Sequence, residues 1–214
     1  MHLPSQSAYE PARVSMAVLG DSLAYGLGAS KTEHSLAWRL YHRIREERPA
    51  STYANYAVPY STIGDVLRHQ VPRLRGTQTD LVLVIAGAND LRYTRDVLIF
   101  ARRFRALLEA IHAAAPRAHV IAAGMPDVTQ TIGVPWLLKP GICKLCARIN
   151  TTMRRIVEAF EDEFVDLFEF TNAPLRPASE IAYLCDDGYH PSDYGYAELA
   201  ERAFPSIARR LQGA

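Results

Sequence analysis

Apolar residues in this chain fall into short unbroken runs, separated by longer stretches in which they recur every third or fourth position. The runs are Val14 to Leu19, Tyr53 to Val58, Leu81 to Ala86, His119 to Ala123 and Phe164 to Leu167. Such lengths suit strands buried on both faces. Helical patterns lie between and after them, at Glu33 to Glu47, Ile63 to Leu74, Arg95 to Ala115, Gly141 to Glu163, and from about Ser192 to about Leu211. In the second of these, Ile63, Val66, Leu67, Val71 and Leu74 keep helical spacing. The alternation predicts an α/β protein with a five-stranded parallel sheet covered on both faces. Two segments, Pro126 to Pro140 and Thr171 to Pro191, fit neither pattern, and connections this long in a compact domain are usually functional or disordered.

The 214 residues suffice for one domain with a substantial core, expected over 14–214 behind an irregular lead-in at Met1 to Arg13 that lacks the apolar stretch of a secretory signal. Hydrophobic residues make up 49% and charged residues 22%, which excludes a disordered chain. With 24 basic and 23 acidic residues spread along its length, the chain is not expected to take nucleic acid as its main partner. The longest apolar stretch, Leu81 to Ala88, is too short for an integral membrane segment. Cys143, Cys146 and Cys185 make no disulfide framework, so a reducing, cytoplasmic location is the expectation.

Chemistry gathers where strands end. The first strand runs into Gly20-Asp21-Ser22-Leu23, the second is followed by Ser61-Thr62-Ile63-Gly64, the third by Gly87-Ala88-Asn89-Asp90, and the fifth, after a long loop, by Asp187-Gly188-Tyr189-His190-Pro191. Each alone reads as ordinary turn and capping chemistry. Parallel strands, however, carry all four to one edge of the sheet, where open α/β sheets bind ligands. A serine hydroxyl becomes a nucleophile when a base takes its proton, and His190 is the best candidate base for Ser22. Asp187, three residues before His190, can reach back to one ring nitrogen; Asp186 competes for that role, with spacing favouring Asp187. Attack on an ester carbonyl creates an oxyanion, for which the backbone amides of Ser22 and Gly64 and the side-chain amide of Asn89 are the candidate donors.

These blocks resemble the GDSL or SGNH hydrolases. The family's four name-giving residues match Ser22, Gly64, Asn89 and His190 in order, and the resemblance runs from about Val14 to about Leu211. It implies a flavodoxin-like three-layer α/β/α fold and a serine carboxylic ester hydrolase that needs no metal and no cofactor. The implied substrate is a small-molecule acyl ester, expected here to carry a short to medium acyl chain. Sugar or peptidoglycan O-acetyl esters, lysophospholipids and thioesters are alternatives that use the same chemistry. A non-catalytic ligand-binding module on the same fold is the alternative from another class.

Tyr25, Tyr60, Leu91, Tyr93 and Tyr189 neighbour the motif residues and are candidates for the substrate wall. Trp136 and Leu137, in the unexplained loop after the fourth strand, are candidates for an acyl pocket or a lid, against ordinary packing over the sheet edge. The Cys143-Lys144-Leu145-Cys146 pair reads as two small residues on a helix face rather than a redox or zinc site. Arg102, Arg103 and Arg105 read as a solvated helix face.

Overall fold

The structure is a computed structural model that describes residues 13–172 and 183–212. Five parallel strands form its sheet: β1 (Ser15–Gly20), β2 (Thr52–Asn55), β3 (Leu81–Ile85), β4 (His119–Ala123) and β5 (Glu163–Val165), in the spatial order β2-β1-β3-β4-β5. This is the flavodoxin-like order, and its switch point lies between β1 and β3. The helices are α1 (Ser22–Tyr25), α2 (Leu36–Glu47), α3 (Ile63–Asp65), α4 (Val97–Ala114), α5 (Lys139–Ala159), α6 (Leu167–Asn172) and α7 (Asp193–Gln212). No helix among the described residues is long and apolar enough to cross a membrane.

Strand side chains alternate between faces, which divides the core in two. Ala17, Leu19, Val82, Val84, Val120 and Ala122 pack under α3, α4 and α5 with Phe100, Phe104, Cys146 and Met153. Met16, Val18, Leu83, Ile85, Ile121 and Ala123 pack under α2 and α7 with Leu36, Leu40, Tyr196 and Ile207. β3 is buried at all five positions because it lies at the centre of the sheet.

Boundaries shift where side chains redirect the backbone. The expected helix start at Glu33 is a single 3₁₀ turn, Thr32–His34; α2 begins after Ser35, whose hydroxyl accepts from the Trp38 amide at 3.4 Å. β2 stops at Asn55, whose carboxamide accepts from the Ala57 amide and donates to the Ala24 carbonyl. The last strand ends at Val165 rather than Leu167: Asp166 accepts from the Glu169 amide at 3.0 Å and starts α6. α5 begins two residues before Gly141, with Pro140 in its first turn, where no amide is needed. It ends at Ala159 rather than Glu163, and Glu161 adopts a left-handed φ of 60° just beyond.

The helix expected over Ile63 to Leu74 is three pieces: α3, a π turn at Val66–Gln70 and a 3₁₀ turn at Val71–Leu74 that contains Pro72. Gln70, at the end of the π turn, meets the end of β1. Its Oε1 accepts from the Gly20 amide at 2.7 Å and its Nε2 donates to the Gly20 carbonyl at 2.9 Å. Of the two long connections, Pro126 to Pro140 holds 3₁₀ turns at Val128–Gln130 and Trp136–Leu138. Residues 173–182 of the other, and 1–12 of the lead-in, lie outside the described residues.

Candidate active site

At the end of β1 the chain must turn under the main chain of β3. Gly20 sits at φ +145°, and a Cβ there would lie 2.0 Å from the Ile85 carbonyl oxygen, so no side chain fits. Asp21 then donates its amide to Ile85 at 3.0 Å and caps α1 by accepting from the Leu23 amide, also at 3.0 Å. Ser22 is thereby the first residue of a one-turn helix that Gly26 ends at φ +95°. Its amide, in the first turn, has no intrahelical partner.

His190 comes from the opposite end of the chain. The turn that presents it closes through Gly188 N–H to Cys185 O at 2.9 Å and Cys185 N–H to His190 O at 2.8 Å. Asp187 Oδ1 accepts from the amides of Tyr189 (2.7 Å) and His190 (2.8 Å), while Oδ2 lies 2.6 Å from His190 Nδ1. Thus Asp187, and not Asp186, meets the imidazole. His190 Nε2 is 3.0 Å from Ser22 Oγ across 168 residues of sequence. Desolvation alone would raise the Asp187 pKa. The bonds it accepts from the His190 ring and from backbone amides together outweigh that effect and hold its carboxyl well below the usual range.

Asn89 follows β3 on the 3₁₀ turn Ala88–Arg92. Its Nδ2 donates to the Ser61 carbonyl at 3.1 Å and lies 3.5 Å from Asp21 Oδ2. One proton is firmly held; the other meets its acceptor only at the limit of hydrogen-bond range. Asp90 accepts from the Ile63 amide at 2.9 Å, tying the start of α3 to the Asn89 turn. Gly64 is the second residue of α3, behind the Thr62 cap, and a Cβ there would meet nothing closer than Thr62 Oγ1 at 3.7 Å. Space alone does not demand glycine at that position.

Two buried acids stand behind these groups. Burial pushes the Asp21 carboxyl up to about 7, against the Leu23 amide, with Asp90 adding to the rise. Asp90 is also raised, by burial first, although Ile63 N–H and the Arg103 guanidinium oppose it. The cysteine pair behaves differently from a redox motif: burial, then the charge of Asp127, pushes the Cys143 thiol up and that of Cys146 to about 11. All three cysteines are free.

A cavity of about 280 Å³ opens at Ser22, Asn89 and His190 and runs beneath the start of the loop after β4. Met125, Pro126, Val128, Leu184, Leu199 and Arg202 are among the residues that line it. Of the expected wall residues only Tyr189 lines it. Tyr25, Tyr60, Tyr93, Trp136 and Leu137 are exposed, and Leu91 packs against the core, so these six lie outside the cavity. Tyr25, Tyr60, Leu91 and Tyr93 adjoin the motifs in sequence without lining the cavity, and Trp136 and Leu137 lie past the part of the loop after β4 that lines it. The actual wall comes from Gly124 to Thr131 and from α7. The sequence signals for it were the unexplained lengths of Pro126 to Pro140 and Thr171 to Pro191, which both contribute to the lining. Gln70 was missed as well, although a polar residue in an otherwise apolar stripe marked it.

A second polar cluster links the segments that carry Ser22 and His190. Ser30 donates its amide to Asp193 Oδ1 at 2.8 Å and its hydroxyl to Oδ2 at 2.5 Å, and His34 Nδ1 lies 2.7 Å from Oδ2. These contacts, led by the Ser30 hydroxyl, lower the Asp193 carboxyl to about 2. Tyr196 donates its hydroxyl to the Leu27 carbonyl at 2.7 Å, and Gly28 packs on Pro191 and His190.

The GDSL-like lipase/acylhydrolase family model matches residues 18–198. The chain belongs to that family. No curated protein sequence matches it. Among solved structures, TesA superposes with a TM-score of 0.72 at 18% identity, covering 92% of this chain and 99% of its own. An extracellular lipase from Streptomyces rimosus gives a TM-score of 0.65 at 20% identity, with 92% and 99% covered. A two-domain esterase active on acetylated mannans gives 0.68 at 17% identity; this family member covers 93% of its own length and 50% of that chain. At these identities the structural likeness establishes the fold.

Proposed function

We propose that this protein is a serine carboxylic ester hydrolase that cleaves short to medium acyl esters through an acyl-enzyme on Ser22. The observation that carries this reading is the chain of contacts from Ser22 Oγ to His190 Nε2 (3.0 Å) and from His190 Nδ1 to Asp187 (2.6 Å) at the mouth of a largely apolar cavity. Asp187, acceptor-only when ionised, requires the proton on Nδ1, which leaves Nε2 free to accept the serine proton. Oγ then bonds to the acyl carbon. The carbonyl electron pair moves onto oxygen, where the amides of Ser22 and Gly64 and the loosely held proton of Asn89 are the proposed donors. Collapse expels the alkoxide, which leaves with the proton from His190. Water, deprotonated by His190, releases the acid and restores Ser22.

A cavity of about 280 Å³ sits at the small end of ligand pockets and favours a modest acyl chain. The test is fluorophosphonate labelling at Ser22 together with turnover of p-nitrophenyl esters of graded chain length. Ser22→Ala should abolish labelling and lower kcat by on the order of 10⁴ to 10⁶. Near-normal turnover in that variant would refute the mechanism, and activity confined to acetylated sugars would refute the acyl preference.

A further inference from the structure

The loop that begins by lining the cavity ends by exposing four bulky apolar residues within seven positions. Ile132 and Trp136 are each 80% exposed, Leu137 71% and Leu138 50%. The loop is anchored rather than loose at its base: Ile132 donates its amide to Gly188 at 3.1 Å and lays its side chain on that glycine, in the turn that carries Asp187 and His190. Buried apolar surface is the ordinary fate of such side chains, and a cluster this exposed marks an interaction site.

The stretch of chain that contains this tip is one-sided in charge, although Asp127 stands at the base of the loop and Asp187 in the turn beneath Ile132. From Val128 to Val157 there is no Asp or Glu, while Lys139, Lys144, Arg148, Arg154 and Arg155 supply five cations. With 24 basic and 23 acidic residues in all, the rest of the chain holds 19 against 23. Arg154 is committed to Asp166 at 2.6 Å. Lys144, Arg148 and Arg155 occupy exposed positions i, i+4 and i+11 of α5, one face of the helix, and among the described residues none of them has a carboxylate within 4.0 Å. Arg102 and Arg105 of α4 join Arg155 along the adjoining groove, with the exposed Leu98 at its edge. The flanking acids are Asp127, which lines the cavity at the base of the loop, and Glu158, three residues past Arg155, while Glu109 lies one turn beyond Arg105 on α4.

We propose that this face docks on an anionic lipid surface: the Trp136-Leu137-Leu138 tip and Ile132 enter the interface, while the α5 stripe lies along the headgroups. Aromatic and aliphatic tips beside unpaired cations are what such an interface retains. A second copy is a poorer occupant, since a self-complementary contact would set one acid-free stripe against another. Because the same loop roofs the cavity, docking brings the cavity mouth to esters held in the surface. That consequence for substrate rests on the hydrolase reading above, whereas the docking does not.

Sedimentation of the full chain with vesicles tests it, comparing phosphatidylcholine alone with the same lipid containing about one third phosphatidylglycerol. Binding to the anionic vesicles should be at least about tenfold tighter and should weaken with added salt. Trp136→Ser with Leu137→Ser, and separately Lys144→Glu with Arg148→Glu, should each cost about tenfold or more in that binding. The charge-reversed variant should turn over a soluble ester, without lipid, as the parent does. Equal binding to both vesicle types, or no loss in either variant, overturns the proposal. So does a concentration-dependent dimer that the Trp136→Ser, Leu137→Ser variant abolishes. Vesicle binding without ester turnover supports docking and removes the hydrolase reading; turnover without vesicle binding does the reverse.

Discussion

Gly28→Ala is the sharpest perturbation available without touching Ser22, His190 or Asp187. Gly28 sits at φ +95°, and an added Cβ would lie 2.7 Å from the Pro191 carbonyl oxygen, 2.9 Å from His190 Cβ and 3.1 Å from Cys185 Sγ. Two costs combine. Forcing a side chain into left-handed backbone costs about 1–2 kcal/mol, and overpacking adds about 1–3 kcal/mol. Relief of the clash requires His190 to retreat by about half an ångström to reach ordinary van der Waals contact. Its Nε2 stands 3.0 Å from Ser22 Oγ, so the displacement loosens the contact that transfers the proton. If a misplacement of about 1 Å can cost about 10²-fold in rate, half that should lower kcat by about tenfold. KM should change less than kcat, because Met125, Val128, Leu184 and Leu199 of the cavity lining are not among the atoms the new Cβ meets.

Gly76→Ala is the control, since Gly76 has φ +75° and nothing within 4 Å of its added Cβ. It carries the backbone strain without the collision. At about 2–4 °C per kcal/mol for a chain of this size, Gly76→Ala should melt about 2–8 °C lower and Gly28→Ala about 4–20 °C lower. Only Gly28→Ala should lose kcat. Steady-state kinetics on p-nitrophenyl esters and thermal melts decide the matter; a Gly28→Ala enzyme with parental kcat would refute the reasoning.

Asn89→Ala should lower kcat by roughly 10² to 10³ with labelling of Ser22 retained, and unchanged kcat would remove Asn89 from the oxyanion site. Asp21 has a folded pKa raised to about 7 from an ordinary 3.8, so its burial is free of charge below about pH 4 and penalised above pH 7. The stability it subtracts therefore grows as pH rises through that window, to at most about 4 kcal/mol. The melting temperature of Asp21→Asn minus that of the parent should climb between pH 4.5 and 8, and a difference independent of pH would contradict the assignment. Asp193→Ala should release the Ser30 and His34 contacts that join the two halves of the site. Because that ion pair is more than one third exposed, about 1 kcal/mol or less of stability is expected from it, and a melt identical to the parent's would show the clasp to be idle.

Much of this molecule was readable before it folded. Runs such as Leu81 to Ile85 are continuously apolar because a central parallel strand is covered on both faces, so they announce both their conformation and their place in the sheet. Parallel strands all end on one edge, which made it possible to bring Ser22, Asn89 and His190 together from their position after strands alone. Turn chemistry that depends on one residue's own backbone was legible too, as at Gly20 and in the Asp187 to His190 spacing.

Other features depended on contacts between distant segments. Gln70 stands on the apolar stripe of Ile63, Val66, Leu67, Val71 and Leu74, but its partner, the backbone of Gly20, lies fifty residues away, and no local pattern encodes that pairing. The cavity wall comes from a loop after β4 facing a helix from the far end of the chain, so Met125 and Leu199 are neighbours only in the folded protein. Tyr25, Tyr60 and Tyr93, adjacent to the motifs in sequence, are exposed and do not line it. Residue identity and period determined the strands, the helices and the chemical groups at their ends. Tertiary packing decided which side chains surround those groups, because a wall is a relation between surfaces that the chain brings together only by folding.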